Sequence, residues 1–172
     1  MARPLSTDYP EFFARYISLV PEEDITMALA NQLPVIITLL DSISEKDSMY
    51  AYSPGKWTMK EMLQHIIDAE RIFAYRALCI ARKEKASLPS FDENEYAGNS
   101  CANDRSWKSL CNEFLNCRKS LQDLFESFNA GMLEERGASN NRGITVLSLG
   151  FISVGHLYSH INVIKDKYLT RS

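Results

Sequence analysis

The chain has 172 residues, of which 45% are hydrophobic and 24% charged, with a formal net charge of −3. This length fits a single domain over residues 1–172 and buries a core without disulfide or metal staples. The slightly acidic balance lacks the basic footprint of a nucleic-acid surface, so nucleic acid is not an expected partner.

The opening MARPLSTDYP has no apolar run behind its single arginine. It reads as neither a secretory signal nor a transit peptide, and the expected location is the cytoplasm. Glycine is scarce and no strand-like alternation bounded by turns recurs, which makes the chain all-α. The first long helix is expected from Pro21 to Ile43, with Ile25, Leu29, Leu33, Ile36, Leu40 and Ile43 at helical spacing. Pro34 should kink it, because the ring removes one interior hydrogen bond. The second helix starts at Thr58, where Thr58 and Glu61 form a capping box, and ends near Arg82 to Lys85, cations suited to a helix C-terminus.

A third helix is expected from near Asp104, with Trp107, Leu110, Cys111, Phe114, Leu121, Leu124, Phe125 and Phe128 on one stripe. A short turn at Met132 to Arg136 and a loop from Gly137 to Gly143 lead to the fourth helix, Thr145 to Tyr168. The connection from about Lys85 to Asn103 exceeds the roughly two to eight residues usual between antiparallel bundle neighbours. Such a crossover makes the third helix parallel to the second, giving a four-helix bundle of up-down-down-up order. Ile144 to Ile164 contains no Asp, Glu, Lys or Arg over a length that spans a bilayer. Its Gly, Ser, Asn and two His residues read instead as a buried bundle helix, so no membrane is expected.

Cys79, Cys101, Cys111 and Cys117 form no CxxC pair and are expected to stay reduced. Cys111 and Cys117 stand six residues apart, on different faces of a helix, and make a poor chelate. The three histidines form a better one. His156 and His160 are four apart, so both rings leave one face of the fourth helix a turn apart. His65 lies in the second turn of an antiparallel helix at a similar level along the bundle. Two unpaired imidazoles in the least charged helix would be costly to bury unless something satisfied them, and a divalent metal ion does so. Imidazole suits Zn, Ni, Cu and Fe alike, so the ligands alone do not choose the ion.

The segments GKWTMKEMLQHIIDAERIFAYRALCIAR at 55–82, LPSFDENEY at 88–96 and GHLYSHINVIKDKYL at 155–169 resemble the DinB (damage-inducible) superfamily of four-helix bundles. The family pattern of one histidine on the second helix and HxxxH on the fourth falls on His65, His156 and His160. The resemblance implies a three-histidine site holding Zn²⁺ or Ni²⁺, in a metal-dependent hydrolase or a transferase that passes a low-molecular-weight thiol to a small-molecule substrate. A non-catalytic metal-binding stress-response module is the alternative, and a homodimer the expected assembly.

Three protein ligands leave a coordination position open, as in catalytic zinc sites. Asp68, three residues after His65, is the nearest candidate general base. Arg76, eleven residues after His65, faces the same groove roughly 16 Å along the axis and is a candidate for binding substrate. A crossover returning past the site would carry Asp92, Glu93, Glu95 and Tyr96, of which Asp92 and Tyr96 join Arg76 as substrate-binding candidates; a solvated surface is the simpler reading of the crossover residues, and a core-edge salt bridge that of Arg76. Gly150 and Gly155 each cost the fourth helix about 1 kcal/mol relative to Ala, which suggests close packing or room beside the histidines.

Overall fold

A computed structural model describes residues 3–170. Four long helices form the frame: α1 (Ile25–Asp41), α2 (Met59–Ala81), α3 (Trp107–Glu126) and α4 (Val146–Val163). Each begins at a polar cap that satisfies its first free amides. Asp24 accepts from the amides of Thr26 and Met27, Ser106 from that of Ser109, and Thr145 from that of Ser148. At α2 both halves of the capping box are present, with the Glu61 amide reaching Thr58 Oγ1 at 3.1 Å and the Thr58 amide reaching Glu61 Oε2 at 2.7 Å. α1 passes unbroken through Pro34, which stands on the exposed face, so the missing amide opens toward solvent.

Cross-helix contacts fix the helix directions. Lys60 Nζ donates to the Arg105 carbonyl and Glu70 pairs with Arg118, so position rises together along α2 and α3 and the two are parallel. α2 meets α4 in opposite order, His65 against His156 and Trp57 against Tyr168. α1 runs with α4, placing Ile25 at Gly150 and donating from Gln32 Nε2 to the Val154 carbonyl at 2.8 Å. The Trp107 indole donates to the Leu40 carbonyl at 3.1 Å, which sets the start of α3 beside the end of α1. The order is therefore up-down-down-up, as the long crossover implies.

That crossover carries a helix of its own at Glu93–Asn99 and a short 3-10 turn at Ala102–Asp104. The expected loop at Gly137 to Gly143 is instead a two-stranded hairpin, β1 (Arg136–Ser139) with β2 (Arg142–Thr145). Asn140 and Asn141 supply its turn with φ of 51° and 57°, the left-handed pair that a tight two-residue hairpin requires. Before it, Ala130–Glu134 is a short helix rather than a bare turn. α4 is followed by a π turn at Ile164–Tyr168.

From Val146 to Tyr168 the chain is long and apolar enough to cross a membrane, yet 72% of its most apolar window is buried inside the bundle. Its uncharged residues serve the core, where Leu149, Phe151, Ile152, Val154, Leu157 and Ile161 are all buried. Ahead of α1, a segment containing the helical turns Glu11–Phe13 and Ala14–Ile17 lies across α4. Gly155 explains the close crossing, because a Cβ there would collide with the Tyr16 carbonyl. Arg3 ties down the far end of this segment by donating to the Ile17, Val20 and Glu22 carbonyls.

Candidate metal centre

His65 leaves α2 toward α4, and His156 and His160 leave one face of α4 toward α2, so helical spacing and antiparallel packing bring three imidazoles together. His65 Nε2 lies 3.1 Å from His156 Nε2, and His160 Nε2 lies 3.0 Å from the same atom. One ligand atom from each of the three falls within 4.8 Å of the others. Aromatic rings hold the imidazoles in place. Trp57 stands 4.9 Å from His65 between ring centres, while Tyr16 and Phe73 approach His156 edge-on at 5.4 and 5.7 Å.

Burial keeps all three rings neutral. Loss of solvent lowers His65 to about 4, partly opposed by the nearby Glu93 carboxylate, and lowers His160 to about 3. His156 is pushed well below the usual imidazole value by burial first and then by the neighbouring histidines. Neutral imidazoles present lone pairs with no proton to displace, which is the state a metal requires.

These residues fit a divalent ion. One His156 nitrogen cannot serve two ring nitrogens well as a hydrogen-bond partner, whereas one cation between them satisfies all three lone pairs. Ligands at about 2.0–2.1 Å around a tetrahedral centre stand about 3.3 Å apart, close to the spacing found here. The arrangement is bare in one respect: His160 Nδ1 is buried without a hydrogen-bond partner among the described residues, where metal-binding imidazoles ordinarily donate to an acceptor.

Residues 28–164 match the DinB superfamily. The chain belongs to the DinB superfamily. Among curated proteins no sequence matches. Among solved structures the fold is similar to YfiT from Bacillus subtilis, described as a probable metal-dependent hydrolase with an unusual four-helix bundle topology. The TM-score is 0.67 at 14% identity, covering 95% of this chain and 90% of that one, a likeness that speaks for the fold.

Within this DinB bundle the histidines line a cavity of about 520 Å³. Arg76 lines it too, with its guanidinium buried and donating to the Pro89 carbonyl at 2.6 Å. The other polar candidates lie elsewhere. Asp68 accepts from Gln64 Nε2 at 2.9 Å and faces Arg71, Arg105 and Glu113 on the α3 side, outside the cavity lining. Asp92 caps the Glu93–Asn99 helix, accepting from the amides of Asn94 and Glu95, so its carboxylate is spent on the backbone. Tyr96 is exposed and rests against Phe91 with ring centres 5.2 Å apart, again outside the lining. From the crossover it is Glu93 that faces the cavity, and its charge is felt at His65.

Sequence reasoning missed Arg15, Tyr16, Trp57 and Arg142, all on the cavity wall. Gly155 carried the signal for the first two, since a glycine inside a helix one residue before a histidine marks a close backbone approach at the site.

Proposed function

We propose that this protein is a metal-dependent enzyme of small molecules, a hydrolase or a transferase of a low-molecular-weight thiol, holding one Zn²⁺ or Ni²⁺ on His65, His156 and His160. The observation that carries the reading is the convergence of three neutral imidazole nitrogens at the wall of a cavity large enough for a substrate. The YfiT likeness and DinB membership support the same direction.

Bound there, a divalent ion supplies Lewis acidity toward a substrate carbonyl and toward water or a thiol. The chain's own residues do the remaining work. Trp57, Tyr16 and Phe73 exclude water from the sides of the triad and fix the ring orientations. Glu93, which lines the cavity, would accept a proton from the nucleophile, the role expected of Asp68. A stress-response module without turnover would be favoured by a fourth protein ligand closing the coordination sphere; among the described residues no fourth His, Cys, Asp or Glu joins the group.

The test is a panel of activated esters and electrophiles, each with and without a glutathione-like thiol, run on protein purified without a nickel column and assayed for metal content. His156→Ala should lose stoichiometric metal and turnover while keeping its helical circular dichroism. Glu93→Gln should lower turnover by about 100-fold or more with metal content unchanged, and Asp68→Asn should change neither. Equal rates for the wild type and His156→Ala in every condition would overturn the reading.

A further inference from the structure

The cavity holds more positive charge than its own chain neutralises. Arg71, Arg105, Arg118 and Arg136 each pair with a carboxylate. Arg15, Arg76 and Arg142 all line the cavity, and none has a carboxylate within ion-pair distance among the described residues. Among the described residues Glu93 is the one carboxylate on the same wall. Arg76 is the telling case, since only 7% of it is exposed and its recorded hydrogen bond goes to a neutral carbonyl. A buried guanidinium without a counter-ion is expensive, and a ligand anion is what removes that cost.

Much of the rest of the wall is aromatic. Phe12, Phe13, Tyr16, Trp57, Phe73 and Phe91 line it. Arg15 is stacked 3.9 Å over the Phe12 ring centre, and its NH2 donates to the Tyr16 hydroxyl at 2.8 Å, which holds it at the rim with donors to spare. Resting on the metal-site reading for its place but not for its cause, we propose that this cavity takes a small organic anion, a carboxylate carried on a planar apolar body. Arg76 grips the carboxylate within the cavity, Arg15 and Arg142 draw it in at the mouth, and the aromatic wall receives the body. A volume of about 520 Å³ suits such a molecule. Guanidinium is the group that matches a carboxylate with two parallel donors, whereas an amide or alcohol of the same shape leaves its charge unanswered.

The experiment is calorimetric binding of phenylacetate and of its neutral isostere phenylacetamide. It is run on metal-loaded wild type, Arg76→Gln, Arg15→Gln and the metal-free His156→Ala protein, with circular dichroism on each. The wild type should bind phenylacetate at least tenfold more tightly than the amide. Arg76→Gln should remove most of that preference at unchanged metal content, Arg15→Gln should remove a smaller part, and His156→Ala should keep it. The rim residue Arg15 serves as the variant with least risk to folding. Equal binding of acid and amide, no binding of either at millimolar concentration, or a preference untouched by both arginine substitutions would overturn the proposal. A preference that vanishes in His156→Ala alone would assign the anion to the ion and overturn the arginine reading while sparing the metal site. Absence of metal from wild type, with the preference intact, would do the reverse.

Discussion

On the face of α2 that meets α3, every charge has its answer within the chain. Arg71 reaches Glu113 at 2.7 Å, Arg105 pairs with the same carboxylate, Gln64 bridges to Asp68, and the fully buried Glu70 and Arg118 hold each other. On the face that meets the cavity, the histidines are neutral and Arg76 is buried beside no carboxylate. One helix thus carries buried charge paired with opposite charge on one side and a buried charge with no carboxylate on the other. The contrast separates charge that serves the fold from charge that awaits a ligand, and the nearness of Asp68 to His65 in sequence does not move it from the first class to the second.

Breaking the paired side should cost most. Arg118→Met strands the Glu70 carboxylate in the core and should lower the unfolding free energy by about 3–5 kcal/mol in urea at pH 7, while Glu70→Leu with Arg118→Met should recover most of it. Arg76→Met should cost no more than about 1 kcal/mol in the same assay, because it strands no buried carboxylate and leaves only the carbonyl of the exposed Pro89 to water. Equal losses from the two single variants would erase the distinction between the faces.

Gly155→Ala should follow in size, at about 1–3 kcal/mol, because the added methyl meets the Tyr16 backbone rather than a flexible side-chain end. The same displacement moves Arg15 and should weaken phenylacetate binding, so a variant of full stability and affinity would show that the N-terminal crossing does not shape the wall.

The smallest effect is the acid sensitivity of the metal-free protein over the single unit from pH 6.5 to 5.5, about 1 kcal/mol. His65 has a folded value lowered from 6.5 to about 4, so the unfolded chain binds more protons between those limits. Its contribution to stability is therefore complete above about 6.5 and is lost as pH falls toward 4, at about 1.4 kcal/mol per pH unit. Urea midpoints of wild type and His65→Gln at pH 6.5 and 5.5, in chelator, measure that difference. A wild-type decline no steeper than that of the variant would show that His65 titrates freely.

The framework was readable because it rests on local rules. The Thr58 and Glu61 box, the four-residue step from His156 to His160 and the length of the crossover each act through spacing alone. Asp68 failed through angle: at about 100° per residue it stands about 60° from His65, on the side opposite Ala69 and Phe73, where Gln64 captures it. Asp92 looked available because a cap and a solvent-facing carboxylate read alike until the following helix is seen. The hairpin escaped notice since its strands are four residues long, although Asn140 and Asn141 are residue types that accept left-handed backbone. Arg15 and Tyr16 sit in a helical turn of four residues, too short for a periodic signal, and their place is set by a contact with the far end of the sequence.

That contact has a consequence for synthesis. The seat at Gly155 and two of the three histidines lie on α4, which is synthesised more than a hundred residues after Tyr16 and its crossing segment. Until α4 docks, His65 has neither of the other two histidines beside it and the aromatic wall has no floor. A nascent chain that stops short of α4 therefore offers one isolated imidazole, and the three rings come together only once α4 has met α2 and the Tyr16 segment.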